Sequence, residues 1–226
     1  MQYIDPYTLL IIAMIISFYA QIKVQSTFKR YSSVRCNKGY TAAQVARYLL
    51  DRSGLNDVKI EPVAGNLTDH YDPRDKTLRL SQSVYNSNSV AAVGVAAHET
   101  GHAIQHDTGY APLSIRNSLV PVVNFGSNAS WLLIILALIT GIQPLLNLGI
   151  VLFSAAVLFQ LITLPVEFNA SNRALGLLES EGILYNDEMD SARKVLSAAA
   201  FTYVAAAIIS IVQLIRLLSM SRRRSD

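Results

Sequence analysis

Residues 90–110 read VAAVGVAAHETGHAIQHDTGY. His98 and His102 stand four apart, with Glu99 directly after the first. On an α-helix, residues four apart share a face about one turn along the axis. Two imidazoles at that spacing can reach one tetrahedral zinc ion at about 2 Å. The glutamate points to an adjacent side, where it can hold a water on the metal. The plain alternative is a solvent-facing helix with two ordinary histidines. The flank argues against it, because AAVGVAA is too small and too apolar for an exposed helix. It reads as a helix buried tightly among neighbours, where unpartnered polar groups are costly. Gly101 weakens the helix by about 1 kcal/mol relative to Ala, so another backbone or a substrate is expected close to it.

The surroundings decide the class. The chain has 226 residues, of which 51% are hydrophobic and 15% charged, against about 25% charged in an ordinary soluble domain. The apolar residues come in blocks. Residues 7–23 make a first run of membrane-spanning length. The preceding MQYIDP has no Lys or Arg, so an uncleaved anchor is expected rather than a signal peptide. Residues 119–141 and 142–164 form two more blocks, joined by an uncharged turn at Gly141 and Pro144, and residues 195–218 a fourth. The fold class expected from these blocks is a mainly α membrane protein: about four transmembrane helices with a small α+β domain. The organisation expected is an anchor at 1–24, a catalytic domain at 25–118, a transmembrane hairpin at 119–165, a polar helical segment at 166–194 and a last span with a basic tail at 195–226.

Within the polar part, Thr41 with Gln44 three residues on reads as a capping box, and Gly54 can close the helix it opens. Residues 58–63 read as a strand. Residues 69–81 read as strand, Pro-Arg-Asp-Lys turn and strand. Ser87 or Ser89 can cap the helix that carries the two histidines. TLRLS, just before it, is a candidate for pairing with an extended substrate.

The net charge of +3 fits basic flanks that orient membrane spans. No basic stripe with interleaved aromatics suggests nucleic acid. Lys29, Arg30, Arg35 and Lys38 follow the first span, and the Gly141 turn has no charge. The polar domain is therefore expected in the cytoplasm. Arg222, Arg223 and Arg224 conflict with this, since four full spans would carry them outside. The single cysteine, Cys36, excludes an internal disulfide and a cysteine-based zinc site.

The third ligand has to come from elsewhere. His106 continues the spacing, but residues eight apart on a helix lie about 12 Å apart along the axis; a helix-end or supporting role suits it better. His70, in the turn region DHYDPR, reads as a surface or cleft residue. Glu167 follows Leu164, Pro165 and Val166 at the end of the third block, and an ionisable group at a membrane edge is a functional candidate. The alternative is a glutamate snorkelling at the interface. The hairpin at 119–165 returns Glu167 to the side of the histidine helix, which makes it the expected third ligand of one zinc ion per chain.

The order of anchor, HETGH, hairpin and then Glu-x-x-Ala resembles the HtpX-like membrane zinc proteases. HYDPRDKTLRLS, VGVAAHETGHAIQH, EFNASNRAL and AAAFTYVAAA resemble more closely the YugP-type neutral zinc metallopeptidases, over nearly the whole chain. The resemblance implies that the small α+β domain is a zincin-like (gluzincin-type) catalytic domain of a membrane-embedded protease, with His98, His102 and Glu167 on Zn2+. Ser171 stands where the HtpX-like pattern has Asp. It keeps a hydrogen bond to a ligand available but brings no charge.

The reaction expected is hydrolysis of peptide bonds in membrane or misfolded proteins. Glu99 serves as general base and Arg173 as candidate donor to the oxyanion, with Tyr71 and His70 as weaker ones. The other class is a non-proteolytic membrane scaffold with a structural metal site, which would have no use for Glu99 and would require a fourth protein ligand. A transporter would need ionisable groups inside the spans, where Asn124, Asn128 and Asn147 are uncharged. The partners expected are a peptide or membrane-protein substrate, membrane lipids, and accessory membrane partners or a second copy of the chain, with no nucleic acid.

Overall fold

The computed structural model describes residues 5–225. The described residues are mostly helical: α1 (Pro6–Tyr31), α2 (Ala42–Arg52), α3 (Gln82–Tyr85), α4 (Val90–Asp107), α5 (Ala111–Thr140), α6 (Gln143–Ser180) and α7 (Asp187–Ser225). One small sheet joins them, with strands β1 (Lys59–Val63), β2 (His70–Asp72) and β3 (Thr77–Ser81). Four helices, α1, α5, α6 and α7, are long and apolar enough to cross a membrane. Their large apolar side chains face outward in number; Phe125 is 76% exposed and Ile139 77%. A water-facing helix bundle would not leave such patches open.

The chain forms two compact units. The first comprises the described residues up to Gln21, Ser114–Pro165 and the chain from Thr202 on. Its core is a cluster of Ile134 and Ala137 from α5, Leu146, Ile150, Phe153 and Val157 from α6, and Leu217 from α7. Gly141 closes α5 at a φ of 75°, a left-handed conformation that glycine adopts without strain. Pro144 in the first turn of α6 has no intrahelical amide bond to lose. At Gly149 a Cβ would fall 2.8 Å from Ile134 Cγ1 and 3.2 Å from Ser130 O, so glycine lets α5 and α6 meet closely.

The second unit comprises Ile22–Leu113 and Val166–Phe201. Its local starts match the sequence signals. Thr41 Oγ1 accepts from the Gln44 amide while Gln44 Oε1 accepts from the Thr41 amide, completing the capping box. Ser89 caps α4, its Oγ accepting from the Ala92 amide at 3.2 Å. Ser87 supports it by donating to Ser89 Oγ.

α4 is apolar nearly all round, as a central helix must be. Val93 and Ala97 pack with Val45 and Leu49 of α2, Ala174 and Leu178 of α6, and Ala192 and Leu196 of α7. Ala92, Ala96 and Ala103 pack with Leu50 of α2 and with Leu78 and Leu80 of β3. Only the face bearing His98 and His102 is left for chemistry.

Two findings depart from the sequence reading. β3 is the middle strand, parallel to β1 and antiparallel to β2. Both its edges are hydrogen-bonded, so TLRLS cannot take an extended substrate; strand addition is open only to the outer edges of β1 and β2. In addition, α6 does not stop at its apolar stretch. It runs through Pro165 to Ser180, because Ala170, Ala174 and Leu178 continue a buried face at helical spacing. That packing outweighs the backbone bond lost at the proline, which costs about 3 kcal/mol in an unsupported helix.

Gly101 is where α4 and α6 touch. A Cβ there would lie 2.6 Å from Ala170 O, whereas at Gly94 the nearest atom is Ala192 Cβ at 3.7 Å. Gly101→Ala is therefore expected to lower stability by about 1–3 kcal/mol despite its better helix propensity. Gly94→Ala is expected to be neutral or stabilising. Thermal unfolding of the two detergent-solubilised variants checks the contrast.

Candidate metal centre

Three donor atoms converge in the second unit: one imidazole nitrogen each from His98 and His102 of α4, and a carboxylate oxygen from Glu167 of α6, all within 4.8 Å of one another. His98 Nε2 lies 3.3 Å from Glu167 Oε2 and His102 Nε2 3.5 Å from the same oxygen. Glu167 is only 2% exposed, and its Oε2 accepts no hydrogen bond. The two rings meet edge to face with centroids 4.7 Å apart.

The hydrogen bonds behind the rings set their protonation. Gln105, fully buried, donates through Nε2 to Val166 O at 2.8 Å and to Asn169 Oδ1 at 3.0 Å. A carbonyl can only accept, so the amide orientation is determined, and Gln105 Oε1 must be the atom that meets His102 Nδ1 at 2.9 Å. His102 therefore carries its proton on Nδ1 and presents an Nε2 lone pair forward. His98 Nδ1 lies 3.1 Å from Ser171 Oγ, a hydroxyl that can accept that nitrogen's proton or donate to it. With the His98 proton on Nδ1 as well, two Nε2 lone pairs and a carboxylate oxygen face one another in a buried place.

Such an arrangement calls for a cation. Burial opposes protonation of His102, yet the nearby carboxylate of Glu167, 3.5 Å away, and the charge of Glu99 raise its pKa above the ordinary value. A proton or a metal ion can meet that demand. Metal bonds of about 2.0–2.1 Å at tetrahedral angles put ligand atoms about 3.3 Å apart, and the two distances to Glu167 Oε2 match this. The donors, two imidazoles and a carboxylate, suit zinc. Among the described residues no fourth His, Cys, Asp or Glu joins the group, as in zinc sites that leave one position for water or substrate.

Glu99 is buried beside this cluster and outside it. Its carboxyl accepts no hydrogen bond from the described residues, and burial pushes its pKa up, against the pull of His98 and His102. His106 lies outside the donor cluster; its Nδ1 meets Tyr71 Oη at 2.9 Å. His70 is an exposed residue bonded to Thr68 O. Cys36 is buried in the core, its Sγ 3.6 Å from Ile183 O.

Arg173 is half-buried on α6. Its Nε donates to Asn169 Oδ1 at 2.8 Å, which ends the chain His102–Gln105–Asn169–Arg173. It makes no hydrogen bond or ion pair with His98, Glu99, His102 or Glu167. Gln105 and Asn169 were missed in the sequence reading. The available signal was position: Gln105 lies three residues after His102, on the same helix face, where a carbonyl-bearing side chain can take the proton behind a ligand ring.

Gln105→Leu preserves bulk but strands the His102 Nδ1 proton. The expected result is a zinc affinity lower by about 10–100-fold, with a smaller loss in Ser171→Ala. Competition titration against a chelator measures both.

The comparisons with known proteins bear on the family of the chain. The chain is 53% identical over 208 residues, covering 92% of each sequence, to a Bacillus subtilis (strain 168) protein named "Putative membrane protease YugP". No solved structure matches it. The family described as "Putative neutral zinc metallopeptidase" matches residues 6–222. With four membrane-length helices and this relative, the chain is a membrane protein, and it belongs to that zinc metallopeptidase family.

Proposed function

We propose that the protein is a multi-pass membrane zinc metalloprotease that hydrolyses peptide bonds with the centre on α4 and α6. The observation that carries this reading is the pairing of a three-donor cluster with a buried, unbonded carboxylate next to it. A structural metal site has no use for Glu99 in that place.

His98, His102 and Glu167 would hold one zinc ion. When bound, zinc supplies Lewis-acid polarisation of the scissile carbonyl and lowers the pKa of water. The chain's own groups do the rest. Ser171 and Gln105 hold the protons of the two rings on Nδ1, keeping both Nε2 atoms available to the metal. Glu99 takes a proton from the attacking water at its carboxylate and delivers it to the leaving amine. Its burial favours the protonated form, so the proton it gains is retained until the amine departs. Arg173 offers the guanidinium N–H groups not used on Asn169 to the carbonyl oxygen as charge develops there. An extended substrate lies along an outer sheet edge, since β3 is enclosed.

The two carboxylates are expected to fail differently. Glu99→Gln keeps the shape and the three donors, so zinc content stays near one equivalent while cleavage falls by about 10²–10⁴-fold. Glu167→Gln replaces an anionic ligand by a neutral one and lowers zinc content itself. Metal analysis and cleavage of a flexible membrane-tethered reporter are measured for both. Normal cleavage by Glu99→Gln sinks the protease reading, and normal zinc in Glu167→Gln moves the third ligand elsewhere.

The second unit is proposed to face the cytoplasm, supported by Lys29, Arg30, Arg35 and Lys38 after the first apolar stretch and by the uncharged turn at Gly141. Asn86 is exposed at the end of α3. A cysteine there, in a Cys36→Ala background, is expected to resist an impermeant thiol reagent in intact cells and to react after lysis.

A further inference from the structure

A second feature of the second unit is unrelated to the metal centre. Lys23 and Arg30 of α1 and Arg193 and Lys194 of α7 line one groove of about 510 Å³, with the hydroxyls of Thr27 and Ser197 between them. The contributions are periodic. Lys23, Thr27 and Arg30 recur at i, i+4 and i+7 on α1, and Arg193, Ser197 and Phe201 at i, i+4 and i+8 on α7, so each helix presents a single face.

No carboxylate lines the groove. Arg30, Arg193 and Lys194 form no ion pair with any described residue, Asp190 included, although it stands one turn before the last two. Three like charges brought together, those of Arg30, Arg193 and Lys194, repel unless an anion joins them. The hydroxyls and guanidinium groups are the donors that phosphate oxygens take.

The place in the chain narrows the ligand. Lys23 directly follows the apolar run that ends at Ile22, and Arg193 and Lys194 directly precede the run that starts at Val195. Both helices are long and apolar enough to cross a membrane. The cations therefore stand where two candidate spans pass from apolar to polar sequence, the level at which lipid phosphates lie. Phe201, whose ring lies 6.0 Å from Lys23 Nζ, lines the groove on the apolar run of α7 and offers a surface to an acyl chain. Basic flanks that merely orient a span need no groove and no convergence of two helices remote in sequence. We infer that this groove binds the phosphate head group of an anionic membrane lipid.

The test uses the full chain in a neutral detergent, titrated with dioctanoyl phosphatidylglycerol and followed by thermal unfolding. Dioctanoyl phosphatidylcholine, inorganic phosphate and a glutamate-rich peptide are run in parallel. Phosphatidylglycerol is expected to raise the Tm saturably, and the other three to leave it unchanged. Arg193→Gln with Lys194→Gln is expected to raise the half-saturating concentration by about thirty-fold. Arg30→Gln, a single change on the other helix, is expected to raise it by about five-fold, and it keeps the test open if the double variant does not fold. Lys29→Gln with Lys59→Gln removes the same charge at exposed positions outside the groove and should change it less than two-fold. The inference is overturned if the control pair weakens binding as much as the groove pair, or if both groove variants titrate like the parent. It is also overturned if inorganic phosphate or the acidic peptide saturates the protein as the lipid does.

Discussion

Three lone-pair atoms in one buried place are the constraint on which the rest of the second unit depends. Nε2 of His98, Nε2 of His102 and Oε2 of Glu167 repel one another unless a cation sits among them. The fold keeps them there anyway. α4 and α6 approach until the Gly101 Cα meets the Ala170 carbonyl, a distance that leaves no room for a side chain. One turn away on α6, Glu167 is held between the rings; on the other side of Ala170, Ser171 reaches His98. A single helix contact thus places a ligand and its support together. In the proposed zinc site, apolar packing would hold the three donors ready for one cation. Metal binding and folding stability would then be coupled.

Much of this was legible in the residues themselves. HETGH places two histidines on one helix face because helical spacing is local physics, and the small apolar flank announced the burial of α4. The capping box at Thr41 and Gln44 and the cap at Ser89 were readable for the same reason: each satisfies amides within its own turn. Glu167 was legible indirectly, as a carboxylate at the end of an apolar block. Gly101 was legible as a misfit, a helix-weakening residue that needed a neighbour to explain it.

What was not legible is non-local. The sheet order places β3 between β1 and β2, and nothing in TLRLS distinguishes a middle strand from an edge one. Its burial on nearly every residue is a property of the assembled sheet. The continuation of α6 through Pro165 was hidden because proline normally argues for a boundary. Contacts with α4 decide otherwise. Gln105 and Asn169 escaped notice because neutral amides carry no charge signal. Their importance comes from the direction of their hydrogen bonds, which only the Val166 carbonyl settles.

In the proposed mechanism, environment divides the two buried glutamates into two roles. Glu167 points an oxygen at the two rings, so its charge would serve as a ligand. Glu99, on the same helix as the histidines, has no protein donor and sits outside the donor cluster. A carboxylate left unbonded in a buried place favours taking up a proton, and that tendency suits a base which must first accept a proton and then return it. Exchanging the two roles would fail on both counts. Glu99 cannot close the donor triangle from its side of α4, and Glu167 cannot move a proton freely while its oxygen balances two imidazoles. The difference between binding the metal and working beside it is set by which face of which helix each carboxylate leaves.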